Sequence, residues 1–132
     1  MKLQTIVMWK KYGDRYFGAS KKVICGIGWA SLYLDNHYNL SAKGIRERYG
    51  VASAASLSIF GGVTYDEPKI TDKYATKPGA SNVNMHCVYH MKLSGAGIVN
   101  GVSDRAIYTT ISYLKKSAKT KEIKVKHSWE YP

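Results

Sequence analysis

Two histidines and a lysine lie close together in segment 83–93, at positions His86, His90 and Lys92. Such a set suits metal-independent cleavage of RNA. One imidazole nitrogen removes the 2′-hydroxyl proton, another protonates the leaving oxygen, and an ammonium group stabilises the phosphate. On a strand the two histidines would share one face, about 13 Å apart, which is too far to hold one proton or one metal ion. The two histidines support a small ribonuclease as an alternative function. The simpler interpretation, which is preferred, is that they are ordinary polar groups of a sheet face.

Lysines form the densest chemical pattern in the chain. Positive charges this close repel one another, and a polyphosphate backbone relieves the repulsion while the release of its counterions contributes much of the affinity. The simpler interpretation is a solvated helix end, where lysines complement the helix dipole. Phosphate-binding residues are predicted in two clusters, the first formed by Lys115, Lys116, Lys119, Lys121, Lys124 and Lys126, the second by Lys10, Lys11, Arg15, Lys21 and Lys22.

The whole chain is strongly basic, with 20 Lys and Arg against 9 Asp and Glu, a formal net charge of +11 and a pI near 9.7. Residues 1–66 hold nine basic and four acidic side chains, and residues 67–132 hold eleven and five, so the charge belongs to the whole chain rather than to a tail. Compacting this charge costs free energy, which argues against an enzyme for a neutral substrate. A polyanionic partner is expected, with nucleic acid ranked before an anionic membrane.

Aromatic residues are abundant and several are neighbours of cations. The chain has 11 Tyr and 3 Trp, in pairs such as Arg15-Tyr16 and Arg48-Tyr49. Single-stranded nucleic-acid binders combine these two groups, because a ring stacks on any base while the cation holds phosphate. RNA or single-stranded DNA is therefore favoured over duplex DNA, although most of the rings are expected to be packing residues.

Metal and cofactor sites have little support in the sequence. Cys25 and Cys87 match no zinc spacing and are expected to be buried thiols. The tripeptide at 122–124 has the Glu-x-Lys form of metal-dependent nucleases, with Asp104 upstream, but such tripeptides are common. Neither a metal nor a cofactor is predicted. Without a leader-like segment or an apolar run of about 18 residues, a cytoplasmic protein with no transmembrane segment is expected.

Alternating side chains predict strands at 83–93 and 122–131. Turn residues at 12–14 predict a hairpin between residues 2–10 and 15–17, and the apolar stretch 22–34 predicts one long, kinked strand.

Helices are predicted in two segments. The first, at 42–49, would be capped by Ser41 and ended by Gly50. The second would run from Ser103 to about residue 117, because Ile107, Ile111, Leu114 and Ala118 follow the spacing of a buried helical stripe. Residues 51–60 suit either a helix or a strand, and 61–80 is expected to be a long loop.

Residues 40–60 resemble a helix-turn-helix. Ile45 and Tyr49 would pack in the first helix, Gly50 would lie at the turn, and Leu57 would face inward from the second helix. The resemblance implies duplex DNA recognition through residues 53–58, whose serines and alanines are poor readers of base edges.

These patterns predict an α+β fold, a single basic globular domain over 1–132 with a mainly antiparallel sheet and two or three helices. The expected function is non-enzymatic nucleic-acid binding, with the lysine clusters on phosphate and aromatic rings on bases. The ribonuclease using His86 and His90 is one alternative. The other is a small phage-type inhibitor or assembly protein that docks on an acidic partner, and homo-oligomers are compatible with each function.

Overall fold

The computed structural model describes residues 2–25, 28–56, 63–71, 79, 81–93 and 101–131. In these ranges the chain forms nine strands and no helix. The described residues therefore contain no helix that is long and apolar enough to cross a membrane. The strands are β1 (Lys2–Trp9), β2 (Gly13–Cys25), β3 (Gly28–Ser41), β4 (Gly44–Ser56), β5 (Val63–Tyr65), β6 (Lys69–Ile70), β7 (Asn82–Leu93), β8 (Gly101–Lys116) and β9 (Ile123–Glu130).

The strands form two antiparallel sheets that pack face to face. The large sheet has the order β1-β9-β8-β7, with the short strands β5 and β6 both on the far edge of β7. The small sheet has the order β2-β3-β4. Both sheets contribute to one buried cluster, in which Tyr38 and Ile45 of the small sheet lie with Val83, Ile111 and Val125 of the large sheet. Burial of these side chains is the main force that holds the sheets together.

The predicted α+β fold is wrong, and the segment 103–117 shows why. Residues 103–116 belong to strand β8, in which Ile107 and Ile111 are fully buried while Leu114 is exposed, and Ala118 is exposed in the turn after the strand. A spacing of four residues keeps two side chains on the same face of a helix and also on the same face of a strand, so the pair Ile107 and Ile111 fits both. The β-branched and aromatic residues of 107–113 favour the strand.

The other predicted helix, at 42–49, is a turn followed by the first residues of β4. Residues 42 and 43 form the turn between β3 and β4, and the hydroxyl of Ser41 accepts a hydrogen bond from the Lys43 N–H inside this turn. Gly44 has a φ of 130°, which a residue with a side chain rarely adopts. The helix-turn-helix resemblance is therefore wrong for residues 40–56, and 57–60 lie outside the described residues.

The N-terminal hairpin is a further correction. Strands β1 and β2 follow each other across the predicted turn, yet β1 pairs with β9 in one sheet and β2 pairs with β3 in the other. The stretch 22–34 contains parts of β2 and β3, which pair with each other, rather than one strand. The predicted loop 61–80 contains β5 and β6, while 72–78 and 80 lie outside the described residues.

The two strands predicted from alternation are confirmed as β7 and β9. Every second side chain of β7 is buried from Val83 to Met91, and Ile123, Val125 and His127 of β9 are also buried. Cys87 is a buried free thiol, as expected, and burial raises its pKa.

Polar groups in the core form hydrogen bonds between the two sheets. The Asn36 amide donates to Thr109 Oγ1 at 3.0 Å, and Tyr38 Oη lies 2.7 Å from His127 Nε2. Burial raises the pKa of Tyr38 to about 12 and lowers the pKa of His127 to about 4. His127 therefore stays neutral in the fold at neutral and mildly acidic pH.

Acid should destabilise the protein through His127. Between the ordinary imidazole pKa of about 6.5 and the folded pKa of about 4, the unfolded chain binds a proton that the folded chain does not, so the free energy of unfolding falls as the pH falls. Neutral His127 contributes about 3 kcal/mol to the free energy of unfolding. This contribution is fully present above pH 6.5 and is lost by pH 4. Urea unfolding of wild type and His127→Gln at pH 7 and pH 4 measures it. An equal loss in both proteins would contradict the prediction.

Candidate nucleic-acid interface

Three connections meet at one end of the sandwich, where β1, β3 and β8 finish. Trp9 is opposite Ile123, which is opposite Lys116, so the connection after β1 lies beside the β8–β9 turn. In the small sheet Gly13 is opposite Leu40 and Ser41 is opposite Gly44, which places the β3–β4 turn beside the start of β2. We call this surface, residues 10–15, 41–48 and 115–124, the basic end.

The basic end carries most of the charge of the protein. Its 24 residues include eleven Lys and Arg and three Asp and Glu, a net charge of +8 out of +11 for the whole chain. One of the acidic residues, Glu47, is buried in the core. Its lysines other than Lys124 are exposed: Lys10, Lys11, Lys43, Lys115, Lys116, Lys119 and Lys121.

Specific contacts orient the cations of the basic end, and one of them joins the β1–β2 connection to the end of β8. Lys116 Nζ donates a hydrogen bond to Tyr12 Oη at 2.7 Å and lies 4.5 Å from the centre of the Tyr12 ring. This contact links the two lysine clusters that are about 100 residues apart in the sequence. The Arg15 guanidinium lies 4.6 Å from the Trp9 ring centre and donates to the Lys11 carbonyl at 2.9 Å. These interactions orient cations that would otherwise repel one another.

A cleft of about 200 Å³ opens at the basic end on the outer face of the large sheet. Its lining combines lysines of two strands with small hydroxyl groups and one carboxylate, from Met8, Lys115, Ser117, Thr120, Glu122 and Lys124. Lys115 and Lys124 are opposite each other across β8 and β9. A phosphate placed here would meet two ammonium groups and hydroxyl donors.

Some predicted phosphate-binding residues lie elsewhere. Lys21 and Lys22 lie toward the opposite end of β2, where the Lys21 Nζ is 5.5 Å from the Tyr131 ring centre and the Lys22 Nζ is 5.4 Å from that of Trp29. Lys126 lies in the middle of β9, opposite Ile6 and Ser112. The second predicted cluster is therefore divided, and only Lys10, Lys11 and Arg15 join the basic end.

Sequence reasoning missed two cations of the basic end, Lys43 and Arg46, and named Arg48 only as the neighbour of Tyr49, because their segment was assigned to a helix. The signal that could have identified the turn is Lys43-Gly44, a polar residue followed by glycine between two apolar alternating runs. Arg46 is opposite Asn39, and Arg48 Nε lies 3.5 Å from Asp14 Oδ1.

Three aromatic rings lie in a row across the outer face of the small sheet. Tyr16 is opposite His37, which is opposite Tyr49. The ring centres of Tyr16 and His37 are 5.5 Å apart and those of His37 and Tyr49 are 4.3 Å apart, both pairs stacked. The tyrosines remain 63% and 45% exposed.

The two candidate catalytic histidines lie in different surroundings. One nitrogen of His90 is 2.8 Å from Asp104 Oδ1 and the other is 3.2 Å from Asp66 Oδ1. The hydrogen bond with Asp104 and, to a smaller extent, that with Asp66 raise the pKa of His90 and favour the ring with both nitrogens protonated. His86 instead stacks on Tyr108, with ring centres 5.3 Å apart. The side chain of Lys92 lies outside the described residues.

The Glu-x-Lys motif does not meet its acidic partner. Asp104 lies near the start of β8, and Glu122 follows the other end of this strand, about 40 Å away for twelve extended residues. Across the described ranges, no group of three or more His, Cys, Asp or Glu side chains is arranged to hold a metal ion.

Comparison of the chain with models of protein families, with curated proteins and with solved structures finds no match. A functional conclusion therefore depends on the geometry of the basic end and of the two outer sheet faces.

Proposed function

We propose that this protein binds nucleic acid through phosphates that contact the basic end, without catalysing a reaction. The observation that carries the proposal is the convergence of three connections, distant in sequence, that place a net charge of +8 on 24 residues. Charges that are merely solvated would be expected to spread over the surface, because like charges repel. Their concentration at one end favours a polyanionic partner.

The backbone of nucleic acid matches this surface in charge. Each lysine that neutralises a phosphate releases a condensed counterion, and this release drives binding at low salt. The exposed lysines lie on short connections and can follow a flexible backbone. Such contacts position the nucleic acid without reading its sequence. We propose that the protein works in the cell interior, where nucleic acid and reduced thiols such as Cys87 coexist.

Direct binding tests this proposal. We expect fluorescein-labelled single-stranded DNA of about 15 nucleotides to bind at about 50 mM salt and to bind at least about 100-fold more weakly at about 200 mM, as several phosphate contacts require. Fluorescence anisotropy gives the affinities, and RNA and duplex DNA of the same length are measured in parallel. No binding at low salt would reject the proposal, and a pull-down insensitive to nuclease would then indicate an acidic protein partner.

The same samples test the ribonuclease alternative. Intact RNA on a gel after incubation is the expected result, because His90 is held between two carboxylates and His86 is stacked on Tyr108. If RNA fragments form without metal, and if a His86→Ala, His90→Ala double variant does not produce them, the function is cleavage and not binding alone.

A further inference from the structure

The row of Tyr16, His37 and Tyr49 depends on an irregularity in β4. Up to Glu47, the odd-numbered side chains of this strand face the core. Between His37 and Tyr38 the register of β3 and β4 shifts, so that Tyr38 is opposite Glu47 while His37 is opposite Tyr49. The extra residue, Arg48, reverses the alternation and turns Tyr49 outward onto His37. Bulges of this kind are frequent beside functional sites because they redirect a side chain.

Gly50 is the residue that permits this reversal. The shift turns position 50 toward the large sheet, where an added Cβ would lie 2.3 Å from Met85 Sδ and 2.6 Å from Pro68 Cβ. A side chain at this position would therefore push the two sheets apart. Glycine beside the bulge is compatible with close sheet packing and with an outward Tyr49 at the same time.

The ring row continues directly into the basic end. The guanidinium carbon of Arg48 lies 5.2 Å from the Tyr49 ring centre, and Arg48 Nε is 3.5 Å from Asp14 Oδ1. Asp14 also accepts a hydrogen bond from the Asn39 amide at 2.9 Å, so its charge is compensated where the row meets the basic end. Tyr16 is three residues along β2 from Gly13, about 10 Å from the β1–β2 connection.

We infer that the ring row is a stacking site for the unpaired bases of a single-stranded nucleic acid whose phosphates contact the basic end. This inference rests on the proposed function and names its substrate class. The rings stack on one another across the strands, and the tyrosines at the two ends of the row are exposed, as a base that stacks on an end ring requires. The distance of about 10 Å from Tyr16 to the β1–β2 connection corresponds to one or two nucleotides of extended backbone.

Duplex nucleic acid and sugars fit this surface less well. A duplex keeps its base faces inside its own stack, so that only its phosphates could contact the basic end. A sugar could lie on an aromatic ring, but it gives the adjacent cations no charge to neutralise. A single strand uses both surfaces at once, which is why we choose it as the occupant.

Alanine variants of the ring row test the inference. We expect Tyr16→Ala and Tyr49→Ala each to weaken binding of a labelled dT15 oligonucleotide about tenfold, and to leave binding of a 15-base-pair duplex unchanged. Tyr16→Phe and Tyr49→Phe keep the ring and should bind like wild type. The salt dependence should be the same in all of these proteins, because no phosphate contact is removed.

Tyr108→Ala is the matched control. Tyr108 is 43% exposed and stacks on His86, but it lies on the outer face of the other sheet. This variant should bind dT15 like wild type. The inference is overturned if wild type binds dT15 in a salt-dependent way and the Tyr16 and Tyr49 alanine variants bind equally well, or if Tyr108→Ala weakens binding as much as they do. Failure of the proposed function is a different result, in which wild type binds no oligonucleotide.

A measurement on the unmodified protein tests the same inference without depending on the stability of a variant. Photocrosslinking of wild type to an oligonucleotide that carries 5-iododeoxyuridine, followed by mass spectrometry of the peptides, should identify Tyr16, His37 or Tyr49. Crosslinks confined to other residues would overturn the inference.

Discussion

A variant with Lys10, Lys119 and Lys121 replaced by glutamine should bind single-stranded DNA about 100-fold more weakly than wild type at about 0.1 M salt. These three lysines are exposed and come from both sequence clusters, which the structure brings to one end. Each phosphate contact on a single strand contributes about 0.7 to the slope of log affinity against log salt. Loss of three contacts should therefore reduce the slope by about 2, and anisotropy titrations at several salt concentrations measure both quantities.

The matched control changes the same amount of charge elsewhere. Lys2, Lys69 and Arg105 are also exposed but lie outside the basic end. Their replacement by glutamine should lower the affinity only slightly, through the weaker overall field. If both triple variants lost affinity equally, binding would depend on total charge and the basic end would not be the interface. Thermal unfolding checks that neither variant is destabilised.

Ile111→Ala should lower the free energy of unfolding by about 2–5 kcal/mol, whereas Leu114→Ala should change it by less than about 1 kcal/mol. Ile111 is completely buried between the sheets, and its truncation leaves a cavity. Leu114 is 42% exposed beside the register shift between Tyr113 and Lys115, so its truncation removes little packing. Urea unfolding followed by fluorescence gives both values.

This pair also distinguishes the two interpretations of residues 103–117. On a helix, Ile111 and Leu114 would share one buried stripe and both substitutions would be costly. In a regular strand, side chains three residues apart point to opposite faces of the sheet. In β8 Ile111 is buried, whereas Leu114, which lies at the register shift, is exposed. Similar large losses for both variants would contradict the strand, and circular dichroism of wild type without a helical signal would support it.

The comparison of β7 with β8 shows how far local patterns predict this fold. In β7 every second residue from Val83 to Met91 is apolar and the residues between them are polar except Val88, a period of two that no helix produces, and the predicted strand is confirmed. In β8 Thr109 and Thr110 interrupt the alternation of polar and apolar residues. Thr109 is polar but buried, because it is hydrogen-bonded to Asn36 of the opposite sheet. A buried threonine has no local signature, because its partner is 73 residues away.

Strong positive charge, aromatic residues beside cations and the alternation of β7 and β9 follow from the sequence alone, because composition and period-two patterns are local properties. Tertiary structure alone decided which residues meet. The basic end exists because β1 pairs with β9 instead of with β2, more than 110 residues away, and this brings Lys10 and Lys11 beside the β8–β9 turn. The ring row exists because a bulge at Arg48 reverses the alternation of β4. Both features depend on pairing between distant strands, whose register is set by burial of the core and not by neighbours in the chain.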